Sequence, residues 1–129
     1  MCRILIVDDH EVIRQNIRSL LTSRDDWSVC GEATDGLQAV EQAKRLRPDL
    51  ILMDVSMPNM NGIDASRIIR KEVGESLILI ISQNDPEIVR RQTEDVHGFL
   101  AKSDIARQLI ETIERILVAD GQRRSGKAS

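Results

Sequence analysis

The chain has 129 residues, with 18 Lys plus Arg against 21 Asp plus Glu, a net charge of −3. One domain per roughly 150 residues is the usual ratio, so a second module of normal size is not expected. The 30% charged and 41% hydrophobic content argues against membrane-spanning and low-complexity classes, and the missing basic excess argues against a dedicated nucleic-acid binder.

The first element is the apolar run Ile4-Leu5-Ile6-Val7, which does not alternate and reads as a strand covered on both faces. It is too short for a secretory leader, so a cytoplasmic protein is expected, without membrane attachment. Ile13, Ile17, Leu20 and Leu21 then mark the buried stripe of a helix. Ser28 to Ala33 is less apolar and suits an edge strand. Leu37, Val40, Ala43 and Leu46 form a second helical stripe, which Pro48 brings to a stop. Leu50 to Met53 is the third strand, Ala65, Ile68, Ile69 and Val73 the third helical stripe, and Leu77 to Ile81 the fourth strand.

Residues 85–96 carry little apolar periodicity and make the weakest helix. Gly98 to Ala101 is the last strand, and Ile105, Leu109, Ile113, Ile116 and Leu117 form the clearest stripe. Gly121 suits a helix C-cap, so residues 1–119 are expected as the domain and 120–129 as a flexible tail or linker remnant. Strand and helix alternating five times means an open parallel α/β sheet with helices on both faces. Cys2 and Cys30 are too few for a disulfide framework and too far apart for a zinc pair, so free thiols in a reducing compartment are expected. Trp27 is expected to pack near the start of the second strand, and His10 and His97 to serve surface or cap roles.

Ligands of such sheets bind beyond the carboxyl ends of the strands. The first strand ends in Asp8-Asp9, the third in Asp54, the fourth in Ser82 and the fifth in Lys102. Three carboxylates at one rim repel one another unless a cation is present. Lys102 supplies one positive charge, and an oxygen-ligated Mg²⁺ would supply two more. An Asp beside such an ion is a suitable nucleophile for forming an aspartyl phosphate. Read singly, Asp8-Asp9 could be a helix cap, Asp54 a turn residue and Lys102 a surface lysine; together they describe a site.

These stretches resemble the receiver domain of two-component response regulators, a CheY-like family. The resemblance rests on Ile4-Leu5-Ile6-Val7-Asp8-Asp9-His10, Leu52-Met53-Asp54-Val55-Ser56-Met57-Pro58-Asn59-Met60-Asn61-Gly62, Ile81-Ser82 and Gly98-Phe99-Leu100-Ala101-Lys102. It covers roughly residues 2–119. It implies a doubly wound (βα)5 flavodoxin-like fold with strand order 2-1-3-4-5. It implies that Asp54 takes a phosphoryl group from a histidine kinase or phosphotransfer protein, and that catalysis is limited to the protein's own phosphorylation and dephosphorylation. Asp8, Asp9, Asp54 and the Ser56 carbonyl match the ligands of Mg²⁺ or Mn²⁺. Ser82 and Lys102 match the groups that contact the phosphoryl oxygens, and Ser82 and Phe99 match the switch pair. Asp8 to Glu11 and Asp26 to Gly36 are similar to the subgroup whose receiver is joined to a helix-turn-helix DNA-binding domain. Homodimerisation on phosphorylation is a further implication, with no direct nucleic-acid contact by this domain.

Two departures stand out. Gln83 is bulkier than the small residue many receivers carry, which narrows access to the phosphoryl group. The span from Ser82 to Lys102 is about half a helical turn short, so residues 84–96 are expected to form a short, mobile or displaced helix. Two other functions fit the residues less well. A haloacid-dehalogenase-type hydrolase needs its nucleophile on the first strand and a second Asp two residues on, yet position 56 is Ser. A flavodoxin-like mononucleotide site needs a phosphate loop after the first strand, where Asp8-Asp9 would repel phosphate.

Overall fold

Aliphatic runs without alternation have apolar side chains on both faces, and only a sheet covered on both sides satisfies them. The computed structural model describes residues 1–83 and 96–128, with side chains as far as residue 121. It contains β1 (Cys2–Val7), α1 (Glu11–Leu21), β2 (Trp27–Ala33), α2 (Gly36–Leu46), β3 (Leu50–Asp54), α3 (Gly62–Glu72), β4 (Leu77–Ser82), β5 (Gly98–Ala101) and α4 (Ile105–Ala128). A 3-10 turn, Lys102–Asp104, joins β5 to α4. The five strands are parallel in the order β2-β1-β3-β4-β5, as expected. The weak helix expected within 84–96 lies outside the described residues except for Val96.

Two apolar layers clothe the sheet. Ile4, Ile6, Leu52, Leu79 and Ile81 pack with Ile17 and Leu21 of α1 and Leu109 and Ile113 of α4. Leu5, Val7, Ile51, Met53, Ile78 and Ile80 pack on the other side with Ala39 and Ala43 of α2 and Ile63 and Ile69 of α3. The central strands β3 and β4 are buried along their whole length, whereas the edge strands β2 and β5 are mostly half-buried. Composition therefore follows position: the edges are where Glu32 and Gly98 are tolerated.

The α2 stripe differs from the expected one. Its buried face is Gly36, Ala39 and Ala43, while Leu37 is 53% exposed. The cause is close approach: a Cβ on Gly36 would stand 2.2 Å from the Met60 carbonyl oxygen. Small residues mark the tight side of this helix, and large ones mark its rim. α4 also departs from expectation. It runs past Gly121 to Ala128, so the segment expected as a tail is helical to that point. One glycine costs a helix only about 1 kcal/mol, too little to end it.

β2 carries one extra residue. Ile4 pairs with Val29 and Leu5 with Gly31, leaving Cys30 bulged between them. Cys2 packs into the α1/α4 layer and Cys30 into the α2/α3 layer, so the two free thiols lie on opposite faces of the sheet. Burial pushes the Cys2 thiol up to about 11 and raises that of Cys30, which keeps both as unreactive thiols. Trp27 is buried at the start of β2, with the Arg24 guanidinium 4.4 Å from its ring centre. His97 latches β5 to β4: its N–H donates to the Ile78 carbonyl at 2.8 Å, and its Nδ1 accepts from the Ile78 N–H at 3.0 Å. Among the described residues, no helix is long and apolar enough to cross a membrane.

Leu52 is 1% exposed on a strand with neighbours on both edges. Leu52→Ala is expected to cost about 3–5 kcal/mol through lost transfer energy and a cavity that rigid strands cannot close. Urea unfolding of the two proteins measures it; a loss under about 1 kcal/mol would mean the sheet collapses into the space.

Candidate functional site

β1 and β3 are hydrogen-bonded neighbours, so Asp8 and Asp54 arrive side by side at one rim of the sheet. Asp8 is 2% exposed and Asp54 3%. The Asp8 N–H donates to the Ala33 carbonyl at 3.1 Å, extending the β1–β2 ladder by one step. Its Oδ1 accepts from the His10 N–H at 2.8 Å, which turns the chain into α1. Asp54 is fixed by the loop that leads into α3. The Gly62 N–H donates to the Val55 carbonyl at 2.8 Å, and a Cβ on Gly62 would stand 1.9 Å from the Asp54 carbonyl oxygen. Only glycine fits where α3 starts this close to the β3 backbone.

Lys102 comes directly after β5 and reaches across the rim. Its Nζ lies 3.1 Å from Asp8 Oδ2 and 3.2 Å from Asp54 Oδ1, with the side chain 10% exposed. Ser82, the last residue of β4, is buried and pairs in register with Ala101. Asp9 is partly exposed beside Asp8, and Ser56 is exposed in the loop after β3. Phe99 is half-buried against the α2/α3 layer, and Gln83 is exposed.

The electrostatics come from two buried carboxylates sharing one ammonium. Burial pushes the Asp54 carboxyl up to about 6; the Asp8 charge adds to the rise and Lys102 opposes it. Burial alone would lower Lys102, but hydrogen bonds to Asp8 and Asp54 and their negative charge outweigh it and raise the ammonium. Asp54 Oδ2 is buried with no hydrogen-bond partner. A buried orphan oxygen is costly and marks a place where a ligand completes the site. Asp8, Asp9, His10 and Asp54 each bring a ligand atom to within 4.8 Å of one another. The three carboxylates of this set fit a hard divalent ion such as Mg²⁺.

Several contributors were not visible in the sequence. Arg14 of α1 donates from Nη1 to the Asp8 carbonyl at 2.7 Å and from Nε to Glu32 at 3.0 Å. Arg18 also pairs with Glu32. Asp35 caps α2 by accepting from the Gln38 N–H at 2.8 Å, and its other oxygen accepts from Asn59 at 2.8 Å. Asn59 adopts φ +67°, a left-handed conformation that Asn tolerates. The loop after Asp54 is thus tied to α2 by Asp35–Asn59 and by the Gly36 N–H on the Met60 carbonyl. Asp35 before Gly36 has the form of a cap signal; its second partner cannot be read from spacing. His10, expected as a surface or cap residue, is the N-cap of α1, and its ring also joins the acidic cluster.

The family model of the response regulator receiver domain matches residues 4–114. The response regulator protein VraR of Staphylococcus aureus is 33% identical over 115 residues, covering 88% of this chain and 55% of VraR. The chain therefore spans about half the length of the curated relatives it matches. The response regulator domain of Thermotoga maritima CheB is similar, with TM-score 0.80, 30% identity and coverage of 90% of this chain and 96% of that one. A LuxR-family two-component response regulator from Aurantimonas sp. SI85-9A1 gives TM-score 0.84 and 31% identity, covering 92% of this chain and 86% of that one. The signal receiver domain of NarL from Mycobacterium tuberculosis gives TM-score 0.79 and 31% identity, covering 92% and 94%.

The raised Asp54 pKa has a stability consequence without metal. The unfolded chain releases this proton near its ordinary value of 3.8, and the folded protein near 6. Stability held by neutral Asp54 is therefore full below about pH 4, falls between about pH 4 and 6, and is gone above that. The loss is at most about 3 kcal/mol. Asp54→Asn is expected to be more stable than wild type in chelator at about pH 7.5, with the gap closing at about pH 4. Urea melts at the two pH values test this; a gap unchanged by pH would assign the effect to something other than Asp54 ionisation.

Proposed function

The chain belongs to the response regulator receiver domain family of two-component systems, and on that premise we propose that Asp54 is its phospho-acceptor. One observation carries the reading. A carboxylate at the end of β3 is buried between an ammonium and an acidic pair, with one oxygen left unpartnered. Phosphoryl transfer requires positioning and charge neutralisation more than covalent chemistry from the protein, and these groups supply both.

With a pKa of about 6, Asp54 is mostly ionised at neutral pH and is a competent nucleophile. Its oxygen attacks phosphorus of a histidine kinase's or phosphotransfer protein's phosphohistidine. The P–O bond forms as the P–N bond breaks, and the electron pair returns to the donor's imidazole. Asp8, Asp9, Asp54 and the Ser56 carbonyl would hold a bound Mg²⁺ or Mn²⁺, which neutralises developing oxygen charge. Lys102, already within reach of Asp54, exchanges that contact for a phosphoryl oxygen. The Ser82 hydroxyl turns toward the new group, and Phe99, only half-buried at rest, turns inward after it. This shifts the population between two forms of the far face. The protein's own catalysis is confined to gaining the phosphoryl group and losing it to water. A cytoplasmic location, self-association on phosphorylation and control of an output domain complete the reading.

Incubation with Mg²⁺ and a small-molecule phosphodonor, followed by intact mass, tests it. Wild type is expected to gain one phosphoryl group, and Asp54→Ala none. Chelation of Mg²⁺ should slow the gain. No gain in wild type, or equal gain in the alanine variant, rejects Asp54 as acceptor.

A further inference from the structure

The acidic rim contains a donor that a site built for Mg²⁺ does not need. His10 Nδ1 lies 3.2 Å from Asp8 Oδ1 and 3.1 Å from Asp9 Oδ1. Around a divalent ion with ligand distances of about 2.0–2.2 Å, neighbouring donors stand about 3 Å apart in octahedral geometry and about 3.4 Å in tetrahedral. These are hydrogen-bonding contacts, and the same spacing suits neighbouring donors around one ion once the nitrogen gives up its proton. Independently, the buried Asp54 Oδ2 has no hydrogen-bond partner, and Asp54 belongs to the same group of donors within 4.8 Å. The rim so offers three carboxylates and one nitrogen to a single centre.

Nitrogen changes which ion is preferred. Carboxylates and water suit Mg²⁺, whereas imidazole suits Zn²⁺ and its first-row neighbours, which also bind such sites more tightly in general. We infer that His10 is a nitrogen ligand that makes this rim a mixed nitrogen–oxygen site selective for a transition-metal ion over Mg²⁺. Such an ion competes with Mg²⁺ for Asp9 and Asp54. The inference deepens the receiver reading and rests on it for the meaning of that competition, but its test stands apart.

The test is calorimetric titration of the whole chain with Mg²⁺ and with Zn²⁺, repeated on His10→Asn and Asp54→Ala. The His10 side chain is 62% exposed and Asn is a good helix N-cap, so the first variant keeps the fold. The expected result is that His10→Asn loses about tenfold or more in Zn²⁺ affinity while its Mg²⁺ affinity stays within about twofold. Asp54→Ala should lose the same Zn²⁺ binding phase, which places that phase at the rim. Unchanged Zn²⁺ affinity in His10→Asn, equal losses for both ions, or a Zn²⁺ phase that survives Asp54→Ala overturns the inference. His10-dependent Zn²⁺ binding without phosphoryl uptake would sink the receiver chemistry and leave this site standing. Uptake without His10 dependence would do the reverse.

Discussion

The rim depends on one ammonium shared by two buried carboxylates. Asp8 and Asp54 are almost wholly removed from water on adjacent strands, and without a cation they would repel each other strongly. Lys102 answers both at 3.1 and 3.2 Å. It comes from the edge strand β5, so its side chain must cross the end of β4 to reach β3 and β1. Ser82 ends the strand being crossed, and a small side chain there leaves the way open. The compensation is partial, because one ammonium cannot cancel three carboxylates. Asp8, Asp9, Asp54 and Lys102 together account for −2 of the chain's −3, so the mild acidity of the protein is concentrated at one rim. Burial first, and the Asp8 charge after it, raise the Asp54 carboxyl, and its Oδ2 is left without a hydrogen-bond partner.

A charged crevice of this kind needs a rigid frame. Two apolar layers hold the strands, and short polar ties hold the loops. The segment from Val55 to Asn61 is fixed at both ends: the Gly62 N–H meets the Val55 carbonyl, while Asp35 and Gly36 hold Asn59 and Met60. Asp35 is drawn below the usual carboxylate range by its hydrogen bonds from Gln38 and Asn59, which keeps this tie ionised and intact in mildly acidic solution.

Much of this was legible in the residues. Runs such as Leu77-Ile78-Leu79-Ile80-Ile81 name a doubly covered strand by themselves, and strand ends in a parallel sheet must share a rim. Those two rules bring Asp8, Asp54, Ser82 and Lys102 together without coordinates. The resemblance supplied the strand order. What stayed hidden was of two kinds. The packed face of α2 is centred on Gly36, Ala39 and Ala43, with Val40 and Leu46 at its edge and Leu37 exposed, so a stripe drawn through the large apolar residues is offset where backbones nearly touch. The supports Arg14–Glu32 and Asp35–Asn59 join residues 18 and 24 positions apart, on elements whose facing becomes known only once the sheet is assembled. Gly121 misled for a plainer reason, since a glycine's small local penalty does not outweigh a continuing helix.

The bulge at Cys30 has a reach beyond the edge strand. Side chains along a strand point alternately to its two faces, and one inserted residue reverses that parity for everything after it. Val29 pairs with Ile4 of the α1/α4 layer, yet Gly31 pairs with Leu5 of the α2/α3 layer. Glu32 is thereby turned to the α1 side, where it holds Arg14, which in turn holds the Asp8 carbonyl. Were Cys30 paired with Leu5 instead of bulged, Gly31 would meet Ile6 and Glu32 would meet Val7 of the α2/α3 layer; the carboxylate would face α2, and the acidic pair would lose the brace behind it.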